Sequence, residues 1–233
     1  MSAFAISAAA LFASVAIPSL VFAAPTQDWS GLYIGAKAGV GIAQGGVEDK
    51  DCYFCASDNF NNAYGTFGGQ AGYNHQMGAA VVGVEADVNW SSLNRKGALG
   101  LDDGTRINPD QVKMDVYGSI RARAGLAVDN ALLYVTAGPA WGSQENRSHV
   151  VNSTGTVLGN INDNSVHWGV AAGAGAEVKT SEHLSLVGEF VYTAYQDKTI
   201  NGSSVLGCTG TDTCRIGYRL STEEARVGFN YHF

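Results

Sequence analysis

Charge is what this chain has least of. Only 15% of its 233 residues are Asp, Glu, Lys or Arg, although 45% are apolar. An ordinary soluble domain carries about 25% charged residues. The net charge is −7 and no basic run occurs, which removes electrostatic support for binding nucleic acid. Proline is scarce at four residues, so the chain is not a low-complexity linker. Catalytic signatures are missing as well: there is no GxSxG, HExxH or Walker A sequence. Gly173-Ala174-Gly175 lacks the third glycine and the helix of a dinucleotide loop, and a glycine-lined strand explains it better.

Long apolar runs are missing everywhere except at the start. The first two dozen residues contain no charged side chain and end in Val21-Phe22-Ala23, a small-x-small pattern suited to signal peptidase. The reading is a signal peptide over 1–23, cleaved after Ala23 or Ala24, followed by one domain over 24–233. A membrane anchor is the competing reading. Beyond residue 24 nothing approaches the run of about 18 apolar residues that a spanning helix needs. Export implies an oxidising compartment, so Cys52, Cys55, Cys208 and Cys214 read as disulfide partners. A zinc site competes with this, but no histidine lies near either pair.

What is abundant is glycine, with 30 residues, and a period-two alternation of apolar and polar positions. Residues 82–91 show it most cleanly: Val82, Val84, Ala86, Val88 and Trp90 against Gly83, Glu85, Asp87, Asn89 and Ser91. The same pattern recurs over 32–41, 64–75, 112–126, 131–141, 166–178, 184–195 and 222–233. In 112–126 the apolar phase is assigned to Val112, Met114, Val116, Ile120, Ala122, Ala124 and Leu126. Short connections fall at 76–79, 129–130 and 179–183, and long ones near 43–63, 94–111, 143–164 and 197–217. Asp129-Asn130 suits a two-residue hairpin turn, because both residues tolerate left-handed backbone angles. Eight strands with short turns at one end and long loops at the other predict an all-β fold: an eight-stranded antiparallel up-and-down transmembrane β-barrel.

Alternation alone also fits a soluble barrel with an apolar interior. The polar phase here, mostly Gly, Ser, Thr and Asn, favours a narrow lumen instead. The aromatic residues Tyr73, Trp90, Trp168 and Tyr231 near strand ends suit interfacial girdles in contact with outer-membrane lipid. Glu85, Asp87, Arg121 and Arg123 share the inward phase on neighbouring strands, with Lys37, Glu189, Glu224 and Arg226 as further members. Unpaired charges in such a space are costly, so these eight are expected to pair. A plug of salt bridges is favoured over an ion path, because eight strands leave room for little more than side chains.

Several short motifs resemble one family. They are Trp29-Ser30-Gly31-Leu32-Tyr33-Ile34-Gly35, Gly83-Val84-Glu85-Ala86-Asp87, Arg121-Ala122-Arg123-Ala124-Gly125, Glu189-Phe190-Val191-Tyr192-Thr193 and the closing Arg226-Val227-Gly228-Phe229-Asn230-Tyr231-His232-Phe233. In this order they resemble the small porin-like outer-membrane barrels of α-proteobacteria, which include major surface antigens and hemin-binding proteins. The resemblance implies the outer membrane of a Gram-negative bacterium, turns and chain ends in the periplasm, and loops facing outward. It does not settle activity, because members differ mainly in the loops; the reading is a structural and surface-interaction role, with a narrow channel or a hemin receptor as the alternative. Phe229, Tyr231 and Phe233 are similar to the ending recognised by the barrel-assembly machinery. Cofactors are expected to be none; if hemin is bound, His149 and His167 are the candidate ligands. A membrane enzyme would need a rim Ser or Asp within reach of His167. For the cysteines, local bonds 52–55 and 208–214 and a cross-link between the two loops remain open.

Overall fold

A computed structural model of the chain describes residues 27–49, 57–95, 99–100, 106–151, 154, 156–201 and 215–233. The predicted leader and all four cysteines lie outside the described residues. The elements are β1 (Gly31–Asp49), β2 (Ser57–Met77), β3 (Ala80–Arg95), β4 (Leu99–Gly100), β5 (Arg106–Val128), β6 (Ala131–Val151), β7 (Val157–Lys179), β8 (Leu184–Tyr195), β9 (Lys198–Asn201) and β10 (Arg215–His232). Eight are long staves; β4 and β9 are short additions paired to β5 and β10. Each stave pairs antiparallel with the next, and β10 pairs with β1 from Tyr33↔His232 to Asp49↔Ile216. The sheet therefore closes on itself. Closure matters because an open edge presents unpaired backbone N–H and C=O groups, which lipid cannot satisfy.

The turns at one end are tight. Gly78 (φ 64°) and Asp129 (φ 51°) take left-handed angles there, as the residue types at those positions suggest. At the other end the staves run much further than the alternation predicts. The loop expected over 143–164 is mostly a paired hairpin, since β6 and β7 stay in register out to Val151↔Val157. Beyond the apolar band pairing continues while the outward face turns polar, as at Gln44↔Asn61. The sequence signal fades where the lipid face ends, not where the strand ends.

One phase assignment is also corrected. A bulge between Met114 and Val116 adds a residue opposite Gln144 and Ser143. Such an insertion reverses the facing of what precedes it. Met114 therefore points inward and is buried, while Lys113 and Asp115 pair outside at 2.6 Å.

The fold is inside out relative to a water-soluble barrel. Val170 is 62% exposed, Val227 68% and Phe67 61%, whereas Arg121 is 0% and Glu85 1% exposed. An apolar belt of this extent on all staves is stable only against an apolar solvent.

Glycine has a defined use in the interior. Tyr33 lies across Gly72, Tyr64 across Gly41 and Tyr134 across Gly175, each pair directly opposed on neighbouring strands. A Cβ on Gly72 would meet the Tyr33 ring at 2.4 Å, on Gly41 the Tyr64 ring at 2.6 Å, and on Gly175 the Tyr134 ring at 2.5 Å. Glycine thus makes room for aromatic rings of the adjacent stave, as aromatic residues commonly cover glycine in sheets. Gly175→Val should destabilise the barrel by about 1–3 kcal/mol through overpacking. Gly188→Ala, where nothing lies within 4 Å, should be nearly neutral. Urea unfolding in lipid vesicles, followed by tryptophan fluorescence, measures both.

Candidate functional site

The barrel interior is organised in three layers. At the turn end Trp29, Val81, Ala127, Leu132, Tyr134 and Val187 form an apolar cluster. At the loop end Ala43, Tyr64, Leu93, Met114, Tyr117, Tyr195 and Leu220 form another. Most of the inward-pointing charges sit between them, placed by the pleat of β1, β3, β5, β8 and β10, while Glu177 of β7 lies level with the turn-end cluster, opposite Leu132 and Val187.

All eight charged residues singled out from the sequence are buried and joined. Arg121 is the hub: its Nη2 lies 2.7 Å from Glu85, 3.3 Å from Glu189 and 3.4 Å from Asp87. Lys37 Nζ bridges Glu189 at 2.5 Å and Glu85 at 3.3 Å. Arg226 donates through Nε to Glu224 at 2.6 Å, and its Nη1 reaches Glu189 at 3.4 Å and Asp87 at 3.7 Å. Asp87 also accepts from Ser119 and Asn89. Neutral donors fill the remaining acceptor sites. Tyr33 Oη donates to Glu85 at 2.8 Å, Tyr64 Oη to Glu224 at 2.5 Å and Tyr117 Oη to Glu224 at 2.9 Å.

Two members were not anticipated. Glu177 accepts from Arg123 Nη2 at 2.5 Å, Ser185 at 2.5 Å and Asn230 at 2.7 Å, and His232 Nε2 lies 2.9 Å away. Both have the right phase: Glu177 alternates with Ala176 and Val178, and His232 with Tyr231 and Phe233. The inward tyrosines carry the same signal, because Tyr33 shares a phase with Lys37. Among the described residues the interior then holds the carboxylates Glu85, Asp87, Glu177, Glu189 and Glu224 against Lys37, Arg121, Arg123 and Arg226, with His232 beside Glu177. Ion pairs buried this deeply survive only with nearly complete hydrogen bonding.

The turn-end mouth is crossed by the residues preceding β1. Trp29 is fully buried, its backbone N–H donates to Gln76 Oε1 at 2.7 Å, and its ring meets His232 edge-on at 5.7 Å. Lys179 Nζ donates to the Asp28 carbonyl at 2.5 Å and lies 5.2 Å from the Trp29 ring. Hydrogen bonds from Ser30, its N–H at 2.8 Å first among them, hold the Asp28 carboxyl below its ordinary pKa.

The remaining sequence-selected residues separate. Phe229, Tyr231 and Phe233 all face outward on the last stave, where Tyr231 stacks on His183. His149 lies in β6 opposite Asn160, and its side chain is outside the described residues. His167 is opposite Gly142, seven positions along β6 from His149, or roughly 23 Å at the usual strand rise. The register thus places the two histidines far apart along the wall. Ser165 Oγ lies 3.1 Å from His167 Nε2. The two are separated by one residue on one strand, so the pleat alone produces this contact.

A closed antiparallel barrel with an apolar belt outside and paired charges inside is an integral outer-membrane protein. Residues 5–233 match the outer membrane protein beta-barrel domain, and the chain belongs to that family. It is 30% identical to the 31 kDa outer-membrane immunogenic protein of Brucella melitensis over 99% of this chain and 95% of that protein. It is 29% identical to the 25 kDa outer-membrane immunogenic protein of Brucella canis, over 100% of this chain and 92% of the other. The 22 kDa outer membrane protein of Rhizobium leguminosarum bv. viciae is 31% identical over 75% of this chain and 68% of that one. Among solved structures, the outer membrane protein OprG from Pseudomonas aeruginosa shares the fold, with a TM-score of 0.51, 11% identity, and 90% of this chain and 99% of that one covered. The protein resides in the outer membrane of a Gram-negative bacterium.

Removing the hub of the cluster should be severe. Arg121→Met removes the cation shared by three buried carboxylates and should cost about 3–5 kcal/mol. Lys113→Ala breaks only the exposed pair with Asp115 and should cost less than about 1 kcal/mol. Denaturant titration of the two refolded variants checks the contrast.

Proposed function

We propose that this barrel is a structural outer-membrane protein that presents its outer end to the surroundings, with a lumen closed by its own side chains. The observation that carries this reading is the layering of the interior. Its charges are buried and paired with one another and with tyrosine hydroxyls, and apolar side chains pack beside them towards both ends, which supports a lumen filled by side chains. Charge pairs at the centre fix the relative positions of six staves, which gives them a structural use without any transported ion. The staves continue past the apolar belt at the outer end, carrying the connections away from the membrane surface. The names of the Brucella relatives describe immunogenic proteins, which fits exposure of such an outer end.

A structural role predicts an envelope phenotype. Deleting the gene should raise sensitivity to detergents, and the wild-type chain should restore resistance. Lys113→Ala should restore it as well, whereas Arg121→Met should restore it only as far as it assembles. Unchanged detergent resistance in the deletion strain would remove the structural role.

A further inference from the structure

Among the described residues, the strand pairing of the wall is not continuous at its outer end. The pairing of β7 with β8 ends at Gly169↔Tyr195, and one further backbone bond joins Gln196 N–H to Trp168 O at 2.8 Å. Above this point the chain leaves β7. After Gln196 and Asp197 it resumes as β9, which pairs with β10 in a register displaced by one residue (Ala194↔Ser221, then Lys198↔Tyr218). Among the described residues, Val157–Trp168 of β7 pairs only with β6. The result is a notch between β7 and β9 with its apex at Trp168 and Gln196.

A cavity of about 160 Å³ sits at this apex, lined by Ser165, Val166, His167, Trp168, Gln196 and Asp197. Its lining mixes both faces of β7. Val166 and Trp168 face the lipid side at 56% and 57% exposure, while His167 is buried on the lumen side. The cavity is therefore set into the edge of the wall at the level of the outer aromatic belt. Because Trp168 O points at Gln196, ladder geometry directs the Val166 N–H and C=O into the notch as well.

The chemistry of the lining selects a class of ligand. Asp197 supplies its one formal charge, which is negative, and Ser165 Oγ, Gln196 Oε1 and the Val166 carbonyl are further acceptors. Arg219 Nε lies 3.7 Å from Asp197, but both side chains are about 60% exposed, and such pairs are weak and exchangeable. An indole face beside a carboxylate suits an ammonium group. The exposed Val166 and Trp168 side chains suit an apolar tail. We propose that the notch binds the head of an amphiphile carrying a primary ammonium, with its tail along Trp168. Two sources share this chemistry: the head group of an aminophospholipid, and a free alkyl- or arylamine.

The test uses the full chain refolded in dodecyl maltoside and titrated calorimetrically with octylamine, 1-octanol and octanoate, after subtraction of micelle-only titrations. Octylamine should bind with a discrete stoichiometry that the other two lack. Asp197→Asn should weaken it by on the order of tenfold, the loss of one charge-assisted contact. Trp168→Leu should weaken it independently, and both variants should keep the heat-modifiable mobility of a folded barrel. Native mass spectrometry from nanodiscs separates the sources. Retention of phosphatidylethanolamine over phosphatidylglycerol assigns a lipid, and octylamine binding without such retention assigns a free amine. Octylamine binding no better than octanol, or with unchanged affinity in folded Asp197→Asn and Trp168→Leu, would overturn the proposal.

Discussion

The interaction on which the structure depends is the pairing of Arg121 with Glu85, Glu189 and Asp87 at the centre of the barrel. A bilayer reverses the usual solvent argument. With lipid outside, the exterior takes the apolar residues and the interior must take whatever is polar. In a lumen of eight strands those polar groups have little water to rely on, so they must satisfy one another. Each charge in the middle layer meets partners from other staves. Lys37 on β1 reaches β3 and β8, and Arg226 on β10 reaches β3 and β8. The cluster therefore acts across the barrel, where the backbone ladder acts only between neighbours.

Glycine and tyrosine are the complement of that constraint. A charged side chain in a narrow lumen needs donors at the right depth, and Tyr33, Tyr64 and Tyr117 supply them from the wall. The Tyr33 and Tyr64 rings can lie flat only because the facing residues, Gly72 and Gly41, have no Cβ. The high glycine content and the low charge content thus have one origin: a small interior whose few charges are held by aromatic hydroxyls, with room made opposite them.

The parts of this architecture written in phase were legible in the sequence. Period-two alternation located eight staves, the tight turns and the facing of Lys37, Glu85, Asp87, Arg121, Arg123, Glu189, Glu224 and Arg226. Three things were not legible, each for a physical reason. The outer halves of β2, β5, β6 and β7 lie beyond the apolar belt, where their sequence carries little apolar–polar alternation. Met114 reads as outward because a bulge leaves no mark in composition. The notch above Trp168 depends on where β8 leaves its neighbour, which is decided by pairing between distant segments. Glu177 and His232, by contrast, had the right phase and were recoverable by the same rule that found Arg121.

Whether the interior is filled by paired side chains decides between a plug and a pore. Planar-bilayer recording of the refolded protein addresses this directly. A lumen closed by the Arg121 cluster and its two apolar layers predicts membranes that stay electrically silent at moderate voltage. Steady channels of large unitary current would contradict it.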